Sequence, residues 1–265
     1  MPTIQLEDVD LYYEQSGDGE DLLLLCGLGD DHTAWEAQVA AFRHRFRITV
    51  VDNRGVGRSS LPDRDFGVAD MAADAVALLD HLEITRTHTA GFSMGGAIAQ
   101  ELALVRPDLV RSLVLVDSWA GRDRYLTAVM ESFIWMAGVA DSAEGLVNAM
   151  LPWVFAPALY DDGRIDEVVA AMLANPNPQD GKAFQRTVRA CIGHDARDRL
   201  GQIAAPTLVV SGELDILLPP RFSHELAAGI PDARLVSLPG RAHQPFQEAP
   251  EEFNAIAAAF WDSAS

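Results

Sequence analysis

The sequence has few cysteines and no recognisable export or membrane segment. Cys26 and Cys191 are the only cysteines among 265 residues. Because Cys26 stands in an apolar run, buried free thiols are favoured over a disulfide or a cysteine metal site. The N-terminus lacks a basic region followed by a long apolar run, which argues against a signal peptide and a membrane span. We therefore expect a cytoplasmic protein that binds no metal.

Positive charge is also scarce. Lys and Arg together number 20 against 39 Asp and Glu, which gives a formal net charge of -19. Such a chain repels phosphate groups, so neither nucleic acid nor an anionic membrane is expected as a partner. Hydrophobic residues make up 49% of the sequence. That composition and length predict one large α/β domain with a substantial core and a solvated acidic surface.

Short apolar runs alternate with helical patterns along most of the chain, as is typical of a parallel sheet covered by helices. The candidate strands, of which the first two look like an antiparallel pair, are residues 4–6, 9–13, 22–26, 48–51, 88–91, 113–116, 207–210 and 234–238. Apolar residues recur at helical spacing in residues 33–42, 68–81, 94–105, 221–228 and 250–261. The sequence predicts an α/β fold with a mostly parallel, eight-stranded sheet flanked by helices.

The alternation stops after the sixth predicted strand. Residues 118–200 contain helical stretches but no convincing strand, and they are too many for a plain loop. Trp135, Trp153 and Phe155 are among the apolar side chains of this segment, which must pack against another surface. Most of these side chains are expected only to pack the segment onto the core. We interpret 118–200 as a helical cap inserted into a core domain of residues 1–117 and 201–265, with a substrate pocket at its base.

A glycine-serine motif lies where a predicted strand meets a predicted helix, in the sequence Gly91-Phe92-Ser93-Met94-Gly95. A sharp strand-to-helix turn lifts the serine hydroxyl clear of the backbone, and a side chain in place of either glycine would clash with that turn. The N-terminus of the following helix favours negative charge, so the Met94 N–H is a candidate oxyanion donor. An ordinary glycine-rich turn is the alternative. The motif predicts Ser93 as a nucleophile.

A serine nucleophile needs a histidine as general base and a carboxylate that orients the histidine. Asp215 follows the seventh predicted strand and His243 follows the eighth. Loops that leave parallel strands meet at one edge of the sheet, so both residues are expected beside the serine. Asp117, at the end of the sixth strand, is the alternative acid. His32 and His194 flank the expected pocket entrance and are candidates for substrate contact.

The glycine-rich loop after the third predicted strand, residues 27–31, is expected to supply the second oxyanion donor. Its glycines let backbone N–H groups approach a substrate closely. Neither this loop nor Gly55-Val56-Gly57 completes a dinucleotide-binding or phosphate-binding motif. No nucleotide cofactor is therefore expected.

Taken together, these features resemble the α/β-hydrolase family over essentially the whole chain, and in particular its 3-oxoadipate enol-lactonases, esterases and cofactor-free haloperoxidases. The matching residues are 27–29, Trp35, Gln38, 52–59, 91–96, 212–215, Pro219, His243, Glu248 and Pro250. The resemblance implies that the backbone N–H groups of Leu28 and Met94 form the oxyanion hole and that no cofactor is needed. Cys26 departs from the family, which commonly has histidine there, but a backbone donor does not depend on that side chain.

The sequence therefore predicts a serine hydrolase that cleaves a carboxylic ester or lactone of a small, largely apolar molecule through an acyl-enzyme. The expected pocket residues are His32, Trp135, Trp153 and Phe155. Since the arginines of 118–200 lie outside its aromatic stretch, uncharged substrates are expected over carboxylate-bearing ones. Two alternatives remain open. The same three residues could serve perhydrolysis, carbon-carbon bond hydrolysis or thioester cleavage, or the protein could be a slow-turnover ligand receptor.

Overall fold

A computed structural model of the protein describes residues 2–264. Its strands are β1 (Thr3–Gln5), β2 (Asp10–Ser16), β3 (Glu20–Leu25), β4 (Phe46–Val51), β5 (Thr87–Phe92), β6 (Val110–Val116), β7 (Thr207–Gly212) and β8 (Ala233–Leu238). The predicted eight-stranded sheet is confirmed, and each predicted run contributes to a strand.

From β3 onward the helices alternate with these strands, except between β6 and β7, where several follow one another. They are α1 (Glu36–Phe42), α2 (Val68–His81), α3 (Met94–Val105), α4 (Arg124–Val139), α5 (Ala143–Met150), α6 (Pro157–Asp161), α7 (Arg164–Ala174), α8 (Gly181–Gly193), α9 (Arg221–Gly229), α10 (Pro245–Glu248) and α11 (Pro250–Ser263). Short 3₁₀ turns occupy His32–Trp35, Leu151–Trp153 and Arg197–Gln202. Among the described residues, no helix is both long and apolar enough to cross a membrane.

The sheet has the order β1-β2-β4-β3-β5-β6-β7-β8. The first two strands pair antiparallel, as does β2 with β4, and every later pair is parallel. The loops that leave β3, β5, β6, β7 and β8 therefore emerge at one edge. This edge is where open α/β sheets bind their ligands.

The sheet is central because helices cover both of its faces. On one face α2, α3 and α9 bury residues such as Met71, Ile98 and Leu226 against the strands. On the other face α1 and α11 bury an aromatic cluster that includes Trp35 and Trp261. Burial on both sides explains why β3 is a continuous run of leucines and does not alternate with polar residues.

Residues 118–200, called the cap segment below, contain helices and turns but no strand in the structure. Helices α4 and α8 belong to the main core, where they bury Phe133 and Val188. A separate small cluster lies within the segment and consists of Leu151, Phe155, Leu159 and Ile165. The segment therefore has one part joined to the sheet domain and one part packed mainly on itself.

Candidate active site

Ser93 lies at the turn between β5 and α3 in a strained backbone conformation. Its φ is 51° and its ψ is -115°, a combination that costs a non-glycine residue about 1–3 kcal/mol and that persists only when neighbours hold it. The Ser93 N–H donates to the carbonyl of Val116 at 2.8 Å, and the Ser118 hydroxyl donates to the Ser93 carbonyl at 2.9 Å. The next strand therefore holds the turn in place.

The two glycines of the motif leave no room for side chains. A Cβ atom at Gly91 would lie 2.2 Å from the Gly95 carbonyl oxygen. A Cβ atom at Gly95 would lie 2.1 Å from the Leu25 carbonyl oxygen. Because both obstacles are backbone atoms, glycine is required at both positions for this turn.

The structure brings Ser93, His243 and Asp215 into one hydrogen-bonded chain. The Ser93 Oγ lies 3.0 Å from His243 Nε2, and His243 Nδ1 lies 2.7 Å from Asp215 Oδ2. The other carboxylate oxygen, Asp215 Oδ1, accepts hydrogen bonds from the N–H groups of Leu217 and Leu218, each at 2.8 Å. None of the three side chains belongs to a residue more than 3% exposed. This geometry suits a serine nucleophile, a histidine base and an orienting carboxylate.

The alternative acid, Asp117, lies beside Asp215 but does not bond to His243. Both of its carboxyl oxygens accept from the Gly212 N–H, at 3.0 and 3.1 Å. Burial, followed by the negative charge of Asp215, raises the pKa of Asp117 well above its usual range. The raised pKa favours the neutral form of Asp117, and Asp215 is the carboxylate that contacts the imidazole.

The two expected oxyanion donors have no partners within the described residues. Within residues 2–264, the backbone N–H groups of Leu28 and Met94 donate no hydrogen bond. The thiol of Cys26 donates to the Asp31 carbonyl at 3.2 Å and so supports the loop that carries Leu28. Burial raises the pKa of this thiol well above its usual range, which leaves it protonated and unreactive.

Comparison with known proteins identifies the family of this chain. The sequence profile of the alpha/beta hydrolase fold matches residues 22–163. The chain belongs to the α/β-hydrolase family. A relative from Azorhizobium caulinodans named "Putative carbamate hydrolase RutD" is 34% identical, and the alignment covers 98% of each chain.

Solved structures resemble this α/β hydrolase over nearly its full length. A hydrolase from Pseudomonas aeruginosa is 30% identical with a TM-score of 0.89, and the match covers 98% of this chain and 97% of the other. The enol-lactonase from Burkholderia xenovorans is 27% identical with a TM-score of 0.90, covering 98% and 100%. The fold and the predicted family resemblance are confirmed, and the protein is a hydrolase of this family.

The two histidines expected at the pocket entrance of this hydrolase have partners within the protein, and their contact with a substrate stays a prediction. His32 contacts Asp52, with its Nδ1 at 2.8 Å from Oδ1, and this hydrogen bond raises the pKa of His32. His194 is 4% exposed and lies edge-on to Trp119 near Glu101. Burial lowers the pKa of His194 to about 4. Both rings have structural neighbours that orient them.

The aromatic residues expected to line the pocket differ in position. Trp135 is 66% exposed, which corrects the expectation that it covers the serine: two positions earlier, Phe133 faces the core, so Trp135 faces the opposite side of α4. Phe155 is buried in the small cluster of the cap segment, and its contact with a substrate stays a prediction. Trp153 is partly buried, with its ring 6.0 Å from that of Phe133.

Sequence reasoning missed the contacts that join the cap segment to the base. The N–H of His243 donates to the Val154 carbonyl at 3.0 Å. The buried carboxylate of Glu248 accepts from Ala242 N–H at 3.1 Å and from Ala156 N–H at 3.2 Å, and burial raises its pKa. Glu248 was noted only as part of the family resemblance, and nothing local in the sequence marks Val154.

Asp30 was also missed, although it lies in the predicted oxyanion loop. Its carboxyl is within electrostatic range of His243. Burial, with a smaller contribution from the charge of Asp31, raises its pKa to about 7, and His243 opposes this rise. The position of Asp30 only two residues after Leu28 is the signal that could have identified it.

Proposed function

We propose that this hydrolase cleaves a carboxylic ester or lactone of a small, largely apolar molecule through a covalent acyl-enzyme on Ser93. The observation that carries the proposal is the buried chain from Ser93 through His243 to Asp215 at a strained strand-to-helix turn. Such a chain activates a serine that is otherwise a weak nucleophile. The division into a core, residues 1–117 and 201–265, and a cap, residues 118–200, is part of this proposal.

In the first half-reaction, Ser93 Oγ attacks the substrate carbonyl carbon while His243 Nε2 removes the hydroxyl proton. The carbonyl oxygen becomes negatively charged and accepts from the Leu28 and Met94 N–H groups, which have no other acceptor to give up. Asp215 stabilises the imidazolium that forms, because its Oδ2 already contacts Nδ1. The imidazolium then gives its proton to the leaving alcohol, and the acyl group stays on Ser93.

In the second half-reaction, water takes the place of the alcohol. His243 removes a proton from the water, whose oxygen attacks the acyl carbon through the same oxyanion site. Collapse of this intermediate returns the proton to Ser93 Oγ and releases the carboxylic acid. A lactone follows the same course, except that its leaving hydroxyl remains attached to the acyl group.

Hydrolysis of a carbamate is the second candidate, favoured by the name of the Azorhizobium relative. The enol-lactonase neighbour favours the lactone. Both reactions begin with attack on a carbonyl carbon, so the proposed residues keep their roles, but the carbonyl carbon of a carbamate bears a nitrogen as well as an oxygen. Perhydrolysis, carbon-carbon cleavage and thioester cleavage use the same first step and belong in the same substrate panel.

The test is kinetic, on uncharged methyl esters of increasing acyl length, a lactone series and a carbamate. We expect turnover of esters or lactones, and a burst of alcohol release if hydrolysis of the acyl-enzyme is the slow step. Ser93→Ala and His243→Ala should each lower kcat by about 10³ to 10⁶, while circular dichroism shows retained folding. Mass spectrometry of the quenched reaction should find the acyl group on the peptide that contains Ser93.

Three results would contradict the proposal. Near wild-type turnover in Ser93→Ala would exclude the serine mechanism, and carbamate turnover far above that of esters would favour the second candidate. Tight binding of panel members without turnover would favour the receptor alternative.

A further inference from the structure

The oxyanion loop carries a carboxyl that the proposed reaction does not use. Asp30 is partly exposed and, among residues 2–264, receives no hydrogen bond and forms no ion pair at its carboxyl. Its neighbour Asp31 differs, because Asp31 accepts from the Thr33 N–H at 2.9 Å and from the Asn175 side chain at 2.9 Å. Asp31 therefore stabilises the loop through these hydrogen bonds, whereas Asp30 makes no such bond.

The carboxyl of Asp30 lies close to the reacting groups. A Cβ atom at Gly27 would be 2.9 Å from Asp30 Oδ2 and 2.5 Å from Phe92 Cε1. The Phe92 ring is in turn 5.0 Å from the His243 ring. The carboxyl thus packs against the backbone just before Leu28, on the side of the loop that faces the base.

The titratable groups around Asp30 provide no cation to pair with it except the transient imidazolium. Asp31 is acidic, and the Cys26 thiol stays neutral because its pKa is raised by burial and further by Asp30. His243 is the one favourable neighbour among the groups that shift the pKa of Asp30. Burial raises that pKa to about 7, and a carboxyl that is both desolvated and partly exposed fits the wall of a narrow cleft.

Asp30 cannot orient the base in place of Asp215. Both ring nitrogens of His243 are already occupied, Nδ1 by Asp215 and Nε2 by Ser93. Asp30 has no hydrogen-bond partner among the described residues, and neither nitrogen of the His243 ring is free to bond to it. Its carboxyl therefore acts through its charge on a molecule bound at the site.

We propose that Asp30 is a specificity-determining residue, whose negative charge disfavours substrates that carry a carboxylate and admits uncharged ones or those with an N–H or O–H donor. This inference rests on the proposed hydrolysis at Ser93. Two like charges several ångströms apart in a poorly solvated cleft weaken productive binding by on the order of tenfold or more. The effect is strongest well above pH 7, where Asp30 is ionised, and fades as the pH falls through about 7 and the carboxyl takes up a proton.

The test compares two esters that differ at one end, methyl hexanoate and monomethyl adipate, in which a carboxylate replaces the terminal methyl. The readout is the kcat/KM of the anionic ester divided by that of the neutral ester, at about pH 5.5 and about pH 8.5, where the substrate carboxylate stays ionised. Both esters use the same reacting residues, so any effect of pH that is common to both cancels in the ratio. For the wild-type protein we expect the ratio to fall by on the order of tenfold at the higher pH.

Asp30→Asn should abolish this fall, giving the same high ratio at both pH values. Asp63→Asn is the matched control, because Asp63 is exposed and its loss also removes one negative charge; it should behave as the wild type does. If Asp30→Asn folds poorly, Asp30→Ser makes the same comparison.

A wild-type ratio that does not change with pH, or an Asp30 variant that keeps the wild-type fall, would overturn the inference while turnover of methyl hexanoate still supports the proposed function. Absence of turnover of any ester in the panel would instead contradict the proposed function, and the inference with it.

Discussion

The edge of the sheet and the cap segment are stabilised to very different degrees. Ser93 and Asp215 follow β5 and β7, which are buried throughout, His243 follows β8, and all three residues are at most 3% exposed. In the cap segment, α5 has no buried residue and α7 has one, Ile165. Strong burial fixes positions, whereas weak burial permits motion and change. We infer that the sheet domain holds Ser93, Asp215 and His243 in fixed positions. The weakly buried part of the cap segment can move and so can vary in which substrates it accepts.

The two regions nevertheless touch at the loops that carry the acid and the base. Val154 and Glu248 join the cap segment to the His243 loop. On the acid side, the Tyr125 hydroxyl donates to the Ile216 carbonyl, next to Asp215. A change in the cap segment can therefore shift Asp215 and His243 through these contacts. The following variants are chosen to separate the contributions of the two regions.

The largest effect is expected within the sheet domain. Asp215→Asn should lower kcat by about 10⁴, because an amide neither stabilises the imidazolium nor favours the required tautomer. Asp117→Asn should lower kcat by less than about tenfold, since Asp117 does not contact His243 and its raised pKa favours the neutral carboxyl that an amide resembles. Steady-state kinetics on one uncharged ester make the comparison. A larger loss from Asp117→Asn than from Asp215→Asn would reverse the assignment of the acid.

An intermediate effect is expected where the regions meet. Glu248→Ala leaves the N–H groups of Ala242 and Ala156 without an acceptor, each at a cost of about 1–3 kcal/mol in stability. Thermal unfolding should show that loss, and kcat should fall by about tenfold to a hundredfold as His243 loses its fixed position. Glu248→Gln keeps one acceptor oxygen and should recover most of the stability. Unchanged kcat in a destabilised Glu248→Ala protein would mean that the contact supports the fold without positioning the base.

The smallest effect is expected within the cap segment itself. Trp153→Ala should reduce kcat/KM mainly for the longer acyl chains, by about threefold to tenfold, because Trp153 is partly buried against Phe133 and adjoins the residue bonded to His243. Trp135→Ala is the matched control and should leave kcat/KM unchanged, since its ring is 66% exposed. Equal losses on short and long esters for Trp153→Ala, or a loss for Trp135→Ala, would contradict this description of the cap segment.

The sheet and the strand-to-helix turn could be read from the sequence because their signals are local. Four consecutive leucines, 22–25, are buried in β3, and such runs indicate strands covered on both faces. Gly91 and Gly95 mark the turn because any side chain there would meet backbone atoms. The order of Ser93, Asp215 and His243 after parallel strands then brought them to one edge.

The cap segment and its contacts could not be read in the same way. Helix α4 is apolar around much of its circumference, so composition does not reveal that Phe133 faces inward and Trp135 outward. The bond from Ala156 to Glu248 joins residues 92 positions apart, and no periodicity encodes such a pairing. His32 and His194 were expected near the substrate from their place along the chain, but Asp52 and Glu101 determine where their rings lie.

The two buried thiols give each region its own reporter of transient opening. Cys26 lies beneath the oxyanion loop at 0% exposure and Cys191 lies in α8 at 1%. Burial raises the pKa of Cys191 to about 12, so neither thiol reacts until its surroundings separate. The rate at which a thiol reagent labels each cysteine therefore measures how often that part of the molecule opens locally. Labelling of these two native cysteines shows, without an added probe, whether the cap segment opens before the sheet domain does.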